Sequence, residues 1–227
     1  KNYLNIPFLI FFQFKLMGTQ KEKFSIIEEA KTYLRGESYD REKVINLYTK
    51  LEDSSQFGYA AEVILKYLEE LKENGEEITD GHYHSLVKNI YKDTSLSSYF
   101  KFDKAINILR SDCSLDNSES CETLGLAGAI YKYKWKFDHQ IQNLYKSLGF
   151  YKKGYELWTS HIEKNSDTDS GYTAINYAFI AELIVSQFLQ QFTATNTITE
   201  ETIARFDHAQ QIRKKILETY IEDIEAD

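Results

Sequence analysis

Proline is nearly absent from this chain, with one in 227 residues, and glycine is scarce, with ten. Because both residues interrupt helices, their scarcity leaves room for long helical segments. No stretch shows the sustained alternation of polar and apolar side chains that predicts a β-strand. We therefore predict an all-α fold without a sheet.

Cysteine is also rare, and the two that occur, Cys113 and Cys121, flank a segment rich in Ser, Asp and Asn. They could pair in an oxidising compartment. Two cysteines without a CxxC spacing do not, however, make a disulfide framework. The pattern favours two reduced thiols in a cytoplasmic protein.

The chain has no excess of positive charge, since its formal net charge is −8 at pH 7. Binding to nucleic acid or to an anionic membrane needs Lys and Arg gathered on one face. The apolar run at residues 6–14 contains Pro7 and Gln13. It is too short for a membrane helix, which needs about twenty apolar residues. We predict neither nucleic acid nor membrane as a partner.

Catalytic and cofactor motifs are missing from the sequence as well. It contains no GxSxG motif, Walker loop or dinucleotide fingerprint, and no nucleophile–base arrangement. His82 and His84 are two residues apart and fall on different helix faces, whereas metal ligands on a helix are three or four apart. We predict no catalytic residues, no cofactor, no metal site and no enzymatic activity.

The first sixteen residues differ from the rest of the chain. They lack the small-residue cleavage site of a signal peptide. Met17 is the only methionine, and the residues after it resemble a normal start of translation. We expect residues 1–16 to be an extension outside the domain and residues 17–227 to form one helical repeat domain. The acidic helical pattern at the end of the chain is compatible with a longer protein.

From residue 21 onward, apolar side chains recur every three or four residues, as in amphipathic helices. The approximate ranges of the predicted helices are 21–36, 40–51, 56–74, 80–91, 97–109, 122–135, 140–158, 171–190 and 199–224. Asp40 and Asp80 are predicted N-caps. Successive helices form pairs of roughly 35 to 45 residues, which is the period of helix–turn–helix solenoids. The sequence thus predicts an α-solenoid of about four helix pairs.

Small and large residues alternate in the best-defined pair. The first helix contains Leu124, Ala127, Gly128 and Tyr131, and the second contains Ser147, Tyr151 and Gly154. This pattern resembles the packing signature of degenerate tetratricopeptide repeats, in which small residues let helices approach and large ones fill beside them. Six residues are predicted to pack between helices: Gly125, Gly128, Tyr131, Trp135, Tyr151 and Gly154.

Five longer stretches are specific enough to compare with a known family. They are QFGYA at 56–60, IYKDTSL at 90–96, ETLGLAGAIYKYKW at 122–135, NLYKSLGFYKKGYE at 143–156 and GYTAINYAF at 171–179. In this order they resemble the TRAF-binding region of the apoptosis signal-regulating mitogen-activated kinase kinase kinases, and the bacterial tetratricopeptide proteins that share it. The resemblance covers about residues 40–220. Thr94 and Tyr177 depart from it, because the family has proline and alanine there.

The resemblance implies an interaction platform. In the kinases this region helps to recruit adaptor proteins, and in bacterial proteins it looks like a regulatory or sensing module beside effector domains. The kinase motifs themselves are missing. We expect a cytoplasmic scaffold that binds a partner peptide or helix within a signalling assembly. The alternative is a sensor that binds a small, nucleotide-like ligand and controls an effector. The sequence carries no signal for the partner's identity or the oligomeric state.

Four residues are candidates for partner binding: Lys132, Tyr133, Tyr172 and Asn176. In tetratricopeptide stacks the first helix of each pair lines a concave groove. Counted from Gly128 and Ala178 as packing positions, the four candidates project toward it. Asparagine is unfavourable inside a helix unless its amide has a partner. For Asn176 that partner is either a neighbouring carbonyl, which would make the residue structural, or a ligand.

Overall fold

The computed structural model describes residues 22–163, 169–192 and 199–225, and every regular element within them is helical. Helix α1 covers residues 22–34. The others are α2 (Arg41–Asp53), α3 (Phe57–Glu73), α4 (Asp80–Lys92), α5 (Ser98–Asp112), α6 (Cys121–Asp138), α7 (Ile141–Glu163), α8 (Tyr172–Phe192) and α9 (Glu200–Glu225). The chain divides into two compact units after Ser97. The predicted extension, residues 1–16, lies outside the described residues.

In the first unit, α3 packs against both α2 and α4. Helix α1 is attached to α3 by polar contacts at its C-terminal end. Tyr33 Oη donates to Glu70 Oε2 at 2.7 Å, and the Lys66 ammonium donates to the Tyr33 carbonyl. Tyr33 is fully buried. Its phenol hydroxyl is satisfied in this buried position because Glu70 accepts the hydrogen bond that it donates.

The N-caps of α2 and α4 test two local predictions. Asp40 is confirmed as the cap of α2, since its carboxylate accepts the Lys43 N–H at 2.8 Å. Asp80 was wrongly predicted as the cap of α4, because it is the first residue inside that helix. The cap is Thr79, whose backbone N–H donates to His82 Nδ1 at 3.0 Å. Thr and Asp are both suitable N-cap residues. The hydrogen bond between His82 and Thr79 favours Thr79 as the cap.

The turn after α4 brings together two of the stretches that carry the family resemblance. Asp93 is buried, and its carboxylate accepts the Ser95 N–H at 2.8 Å and the Ser95 hydroxyl at 3.0 Å. A Cβ atom added to Gly58, near the start of α3, would lie 3.1 Å from Asp93 Oδ2. Asp93 therefore organises the turn at Thr94, where the family has proline.

We expect Asp93→Ala to lower the free energy of unfolding by about 1–2 kcal/mol, because it removes a buried carboxylate that accepts both the N–H and the hydroxyl of Ser95. Urea denaturation followed by far-ultraviolet circular dichroism measures the change. Asp116→Ala is the matched control, since the Asp116 side chain is 74% exposed and should have little effect. An unchanged urea midpoint for Asp93→Ala would show that the turn does not depend on the carboxylate.

In the second unit, α7 packs between α6 and α8, and α8 packs between α7 and α9. The centre of this core is apolar and aromatic, and its fully buried side chains include Leu144, Tyr151, Trp158, Ala178 and Ile184. Tyr177 is buried between Tyr155 and His208, with ring centroids 5.6 and 5.7 Å away. The large residue at 177, one of the two departures from the resemblance, therefore forms part of a contact between helices.

Helix α8 is the one described helix that is long and apolar enough to cross a membrane by length and composition alone. Its buried side chains contribute to the core formed with α7 and α9. Two large apolar side chains, Ile175 and Phe179, remain exposed on another face of the helix. A core face and an exposed apolar face together explain its composition.

The segment between α5 and α6 is more ordered than its polar sequence indicates. It contains a short 3-10 helix, Leu115–Asn117, in which Leu115 is fully buried. Cys113 and Cys121 are both buried thiols. The Cys121 thiol faces the Gly154 carbonyl at 3.7 Å, so this cysteine packs at the contact between α6 and α7.

Candidate functional site

Close contact between α6 and α7 depends on Gly128. A Cβ atom at this position would lie 2.8 Å from three atoms of the Tyr151 ring, which is fully buried. The backbone of α6 is close enough for Ser147 Oγ to donate to the Gly128 carbonyl at 2.7 Å. The structure thus places Ser147, Gly128 and Tyr151 in the small–large arrangement that the sequence predicts.

Two further glycines bring α8 close to the same pair of helices. An added Cβ would lie 3.0 Å from Tyr172 Cε1 at Gly125 and 2.6 Å from Thr173 Cγ2 at Gly154. Side chains at these positions would push α8 away from α6 and α7. Because Gly125 and Gly154 lack them, the first turns of α8 reach α6.

The two aromatic residues predicted to pack at the C-terminal half of α6 differ in burial. Tyr131 is buried and stacks on Phe150, with ring centroids 5.7 Å apart. Trp135 is only partly buried, packs against the core and meets the His139 ring edge-on at 6.0 Å. The turn of α6 between them carries Lys132 toward α8.

Lys132 on α6 and Asn176 on α8 meet directly. Lys132 Nζ donates to Asn176 Oδ1 at 3.0 Å, and Asn176 Nδ2 donates to the Tyr172 carbonyl at 2.9 Å. The amide thus bonds within its own helix and also to the lysine. One amide N–H and one oxygen lone pair remain for another molecule. For Asn176, a structural role within the helix is therefore compatible with a role in binding a ligand.

Lys132 has an unusual environment for a cation. Its ammonium lies 5.8 Å from the centroid of the Tyr151 ring and 5.7 Å from that of Phe179. Within the part of the chain that the structure describes, it forms no ion pair with a carboxylate. Burial, together with the nearby Lys136, lowers the pKa of Lys132 below its usual value. The charge is therefore partly desolvated and is compensated by ring faces and an amide oxygen.

A second lysine near an asparagine, in the first unit, shows what is different about Lys132. Lys88 Nζ lies 2.6 Å from Glu52 Oε2, and Asn89 Nδ2 donates to Glu52 Oε1 at 2.6 Å. There a carboxylate binds both the cation and the amide. At Lys132 the corresponding anion is not supplied by any described residue.

Tyr172 and Tyr133 complete the set of predicted residues. Tyr172 is 43% exposed, and its ring meets that of Tyr151 edge-on at 6.3 Å. Burial raises the pKa of the Tyr172 phenol. Tyr133 is 41% exposed and lies under the Lys136 ammonium, 5.3 Å from its ring centroid. Tyr172 therefore adjoins Lys132 and Asn176, whereas Tyr133 lies beside Lys136 on α6.

Two residues of this site were missed by the sequence analysis. Ile175 and Phe179 are both exposed and lie on the same face of α8 as Tyr172 and Asn176. The spacing of these four positions, i, i+3, i+4 and i+7, was a signal that could have identified them. We call Lys132, Tyr172, Ile175, Asn176 and Phe179 the α6–α8 surface.

The chemistry available at the α6–α8 surface is that of binding. It combines one cation, one amide and three exposed apolar or aromatic side chains. Across the three described ranges, no group of three His, Cys, Asp or Glu side chains is arranged to hold a metal ion. Such a surface can recognise an anionic group that lies beside apolar groups.

Comparison with known proteins adds one finding. A family model described as Tetratricopeptide Repeats-Sensor matches residues 40–181, from the N-cap of α2 into α8. No curated protein and no solved structure matches the chain. The match and the helical structure confirm the predicted fold class, an α-solenoid of tetratricopeptide-like helix pairs. Repeats of this type generally mediate protein interactions and are generally non-catalytic.

Proposed function

Because the chain belongs to the Tetratricopeptide Repeats-Sensor family, we propose that it is a protein-interaction module without catalytic activity. Its α6–α8 surface binds a peptide or helix that presents a carboxylate beside apolar side chains. The observation that carries this proposal is the partly desolvated Lys132 ammonium, which has an amide partner but no carboxylate among the described residues.

A carboxylate from a partner would change the electrostatics around Lys132. Lys132 already bears part of the desolvation cost of binding, because burial disfavours its charged form before any partner arrives. A carboxylate from a partner would form a charge-assisted hydrogen bond in a partly desolvated site, where such bonds are stronger than in water. The Glu52 carboxylate provides this partner for Lys88 within the chain.

The apolar part of the surface indicates how the partner is oriented. Tyr172, Ile175 and Phe179 lie along α8 within two helical turns. A partner helix with apolar residues three or four positions apart could cover them while an acidic side chain reaches Lys132. Phe179 belongs to the exposed apolar part of the surface and also lies near the Lys132 ammonium. It therefore connects the apolar part with the cation.

We further propose that this binding operates in a signalling assembly in the cytoplasm, as for the TRAF-binding regions that the sequence resembles. Three of the five stretches that carry the resemblance contribute to α6, α7 and α8. The net charge of −8 supports a protein partner over a nucleic acid or an anionic membrane.

Selection of peptides from a random display library tests the chemistry of the partner. We expect the wild-type chain to enrich sequences with Asp or Glu beside apolar residues, and Lys132→Glu to enrich Lys or Arg instead. Lys153→Glu makes the same charge change at an exposed position of α7 and should leave the selection unchanged. Enrichment of the same peptides by Lys132→Glu and the wild type would exclude Lys132 from recognition.

Asn176→Ala separates recognition from a structural role. We expect its melting temperature to be unchanged or slightly raised, because alanine favours a helix by several tenths of a kcal/mol and Lys132 can turn toward water. Binding of the selected peptides should be strongly reduced. If the amide is structural instead, the variant should lose about 1–3 kcal/mol of stability. Thermal melting and fluorescence anisotropy on the same preparation distinguish the two.

A second candidate function is a sensor of a small anionic ligand that controls an effector. The description of the family as a sensor and the same Lys132 cation support it. A panel of nucleotides can be screened by thermal shift, because a ligand that binds only the folded state raises the melting temperature. A nucleotide that stabilises the wild type but not Lys132→Glu would favour the sensor, and no response across the panel would count against it.

A further inference from the structure

Helix α9 carries an exposed stripe away from the α6–α8 surface. Ile203 is 53% exposed, Phe206 is 45% exposed and Leu217 is 61% exposed. Gln210 and Lys214 are exposed as well, and the five positions recur every three or four residues. They therefore lie on one face of the helix, which is distinct from the buried face containing Ala209 and Ile212. We call these five residues the α9 stripe.

The positions of the α9 stripe are spaced symmetrically about Gln210. Ile203 and Leu217, both apolar, lie seven residues before and after Gln210. Phe206 and Lys214 lie four residues before and after it. Asp207, an exposed anion beside the stripe, precedes Gln210 by three residues. Reversing the helix and placing it on itself would therefore set apolar groups against apolar groups and opposite charges near each other.

From this self-complementarity we infer that the α9 stripe is a docking surface for a second copy of the chain. The two α9 helices run antiparallel about a two-fold axis at Gln210, so each contact occurs twice. Ile203 of one copy packs on Leu217 of the other. Lys214 of one copy lies near Asp207 and over the Phe206 ring of the other, which adds an ion pair and a cation–π contact.

Helix α8 extends the apolar part of this surface. Glu182 binds Gln210 at 2.7 Å and forms two hydrogen bonds with Arg213, whereas Gly171, just before α8, lies beside Tyr220. Helices α8 and α9 are therefore antiparallel neighbours. The C-terminal part of α8, where Phe188 and Leu189 are each 40% exposed, thus lies toward the N-terminal end of α9. Pairing of two copies would bury these apolar side chains together with Ile203 and Leu217.

The expected dimer is weak. One helix face with a few neighbouring side chains is smaller than the roughly 800 Å² that each partner of a stable complex buries. We expect a dissociation constant on the order of micromolar and a concentration-dependent equilibrium. Sedimentation velocity of the whole chain over a concentration series should show a species of twice the 26.6 kDa chain mass.

A charge exchange gives the decisive test. Asp207→Lys and Lys214→Asp each place like charges together twice in the dimer, so each should raise the dissociation constant roughly tenfold or more. The double variant restores opposite charges and should return to near the wild-type value. Gln211→Lys, at an exposed position of α9 outside the stripe, should have no effect.

Three results would overturn the inference. The first is a wild-type chain that stays monomeric throughout the concentration series. The second is a double variant that associates no better than the single ones, which would show that Asp207 and Lys214 do not face each other. The third is a dimer of unchanged affinity in all variants, which would place the interface elsewhere. Circular dichroism of each variant confirms that folding is intact.

Discussion

Gly128→Leu is expected to lower the free energy of unfolding by about 3 kcal/mol or more. Overpacking a core typically costs 1–3 kcal/mol, and here relaxation is restricted. Even the first added atom would lie 2.8 Å from the Tyr151 ring. That ring is fully buried between helices, so it cannot turn toward solvent without disturbing them. Leucine would also disturb the bond between the Ser147 hydroxyl and the Gly128 carbonyl.

Gly149→Ala is the matched control for this prediction. Gly149 is a helical glycine of α7, and no described atom outside its own turn of helix lies within 4 Å of the Cβ position. Alanine should therefore stabilise the protein by roughly 0.5–1 kcal/mol, since it lowers the entropy of the unfolded chain without a clash. Chemical denaturation of both variants gives the comparison. A Gly128→Leu protein that is as stable as the wild type would mean that α6 and α7 are not in contact at Gly128.

Trp158→Ala is expected to lower the free energy of unfolding by about 3–5 kcal/mol, because it removes a large, fully buried side chain and leaves a cavity. Trp158 also joins α7 to α9. Its indole N–H donates to Tyr220 Oη at 3.2 Å, and the two rings pack with centroids 6.4 Å apart. The loss should therefore loosen α9 as well as α7.

The second tryptophan of the chain supplies the control for Trp158→Ala. Trp135 is only partly buried at the end of α6, so Trp135→Ala should cost clearly less. Since these are the only two tryptophans, each variant also leaves a single tryptophan, and its selectively excited emission reports on its own environment. We expect a blue-shifted emission from Trp158 and a more red-shifted one from Trp135. Equal losses of stability in the two variants would contradict the assigned burial.

The packing of α6 on α7 could be predicted from the sequence because it depends on residue size at fixed helical spacing. The relevant residues are Gly128, Ser147 and Tyr151. When the two helices pack, the large Tyr151 side chain must lie opposite a small residue, and Gly128 is that residue. The shared surface of Lys132, Tyr172 and Asn176 could be predicted for the same reason. Helical periodicity fixes the face on which a residue lies, and the repeat fixes which faces are adjacent.

Other features could not be predicted because they depend on contacts between distant parts of the chain. The sequence around Lys132 does not reveal that Lys132 lacks a carboxylate partner while Lys88 has Glu52. Burial of Tyr177 between Tyr155 and His208 depends on how three helices meet. The choice of Thr79 over Asp80 as a cap was set by the side chain of His82. In each case local propensity allowed several outcomes, and tertiary contacts selected one.

The contact between Gly128 and Tyr151 also restricts how this pair of helices can diverge between relatives. Any residue with a Cβ at position 128 demands a smaller or displaced side chain at position 151. A smaller residue at 151 alone would leave a cavity beneath Lys132 and remove one of the rings that flank its charge. The side chains at positions 128 and 151 are therefore coupled, since a change at either one alone costs packing or removes a ring beside the Lys132 ammonium. The same ring thus serves both the packing of α6 on α7 and the electrostatics of the α6–α8 surface.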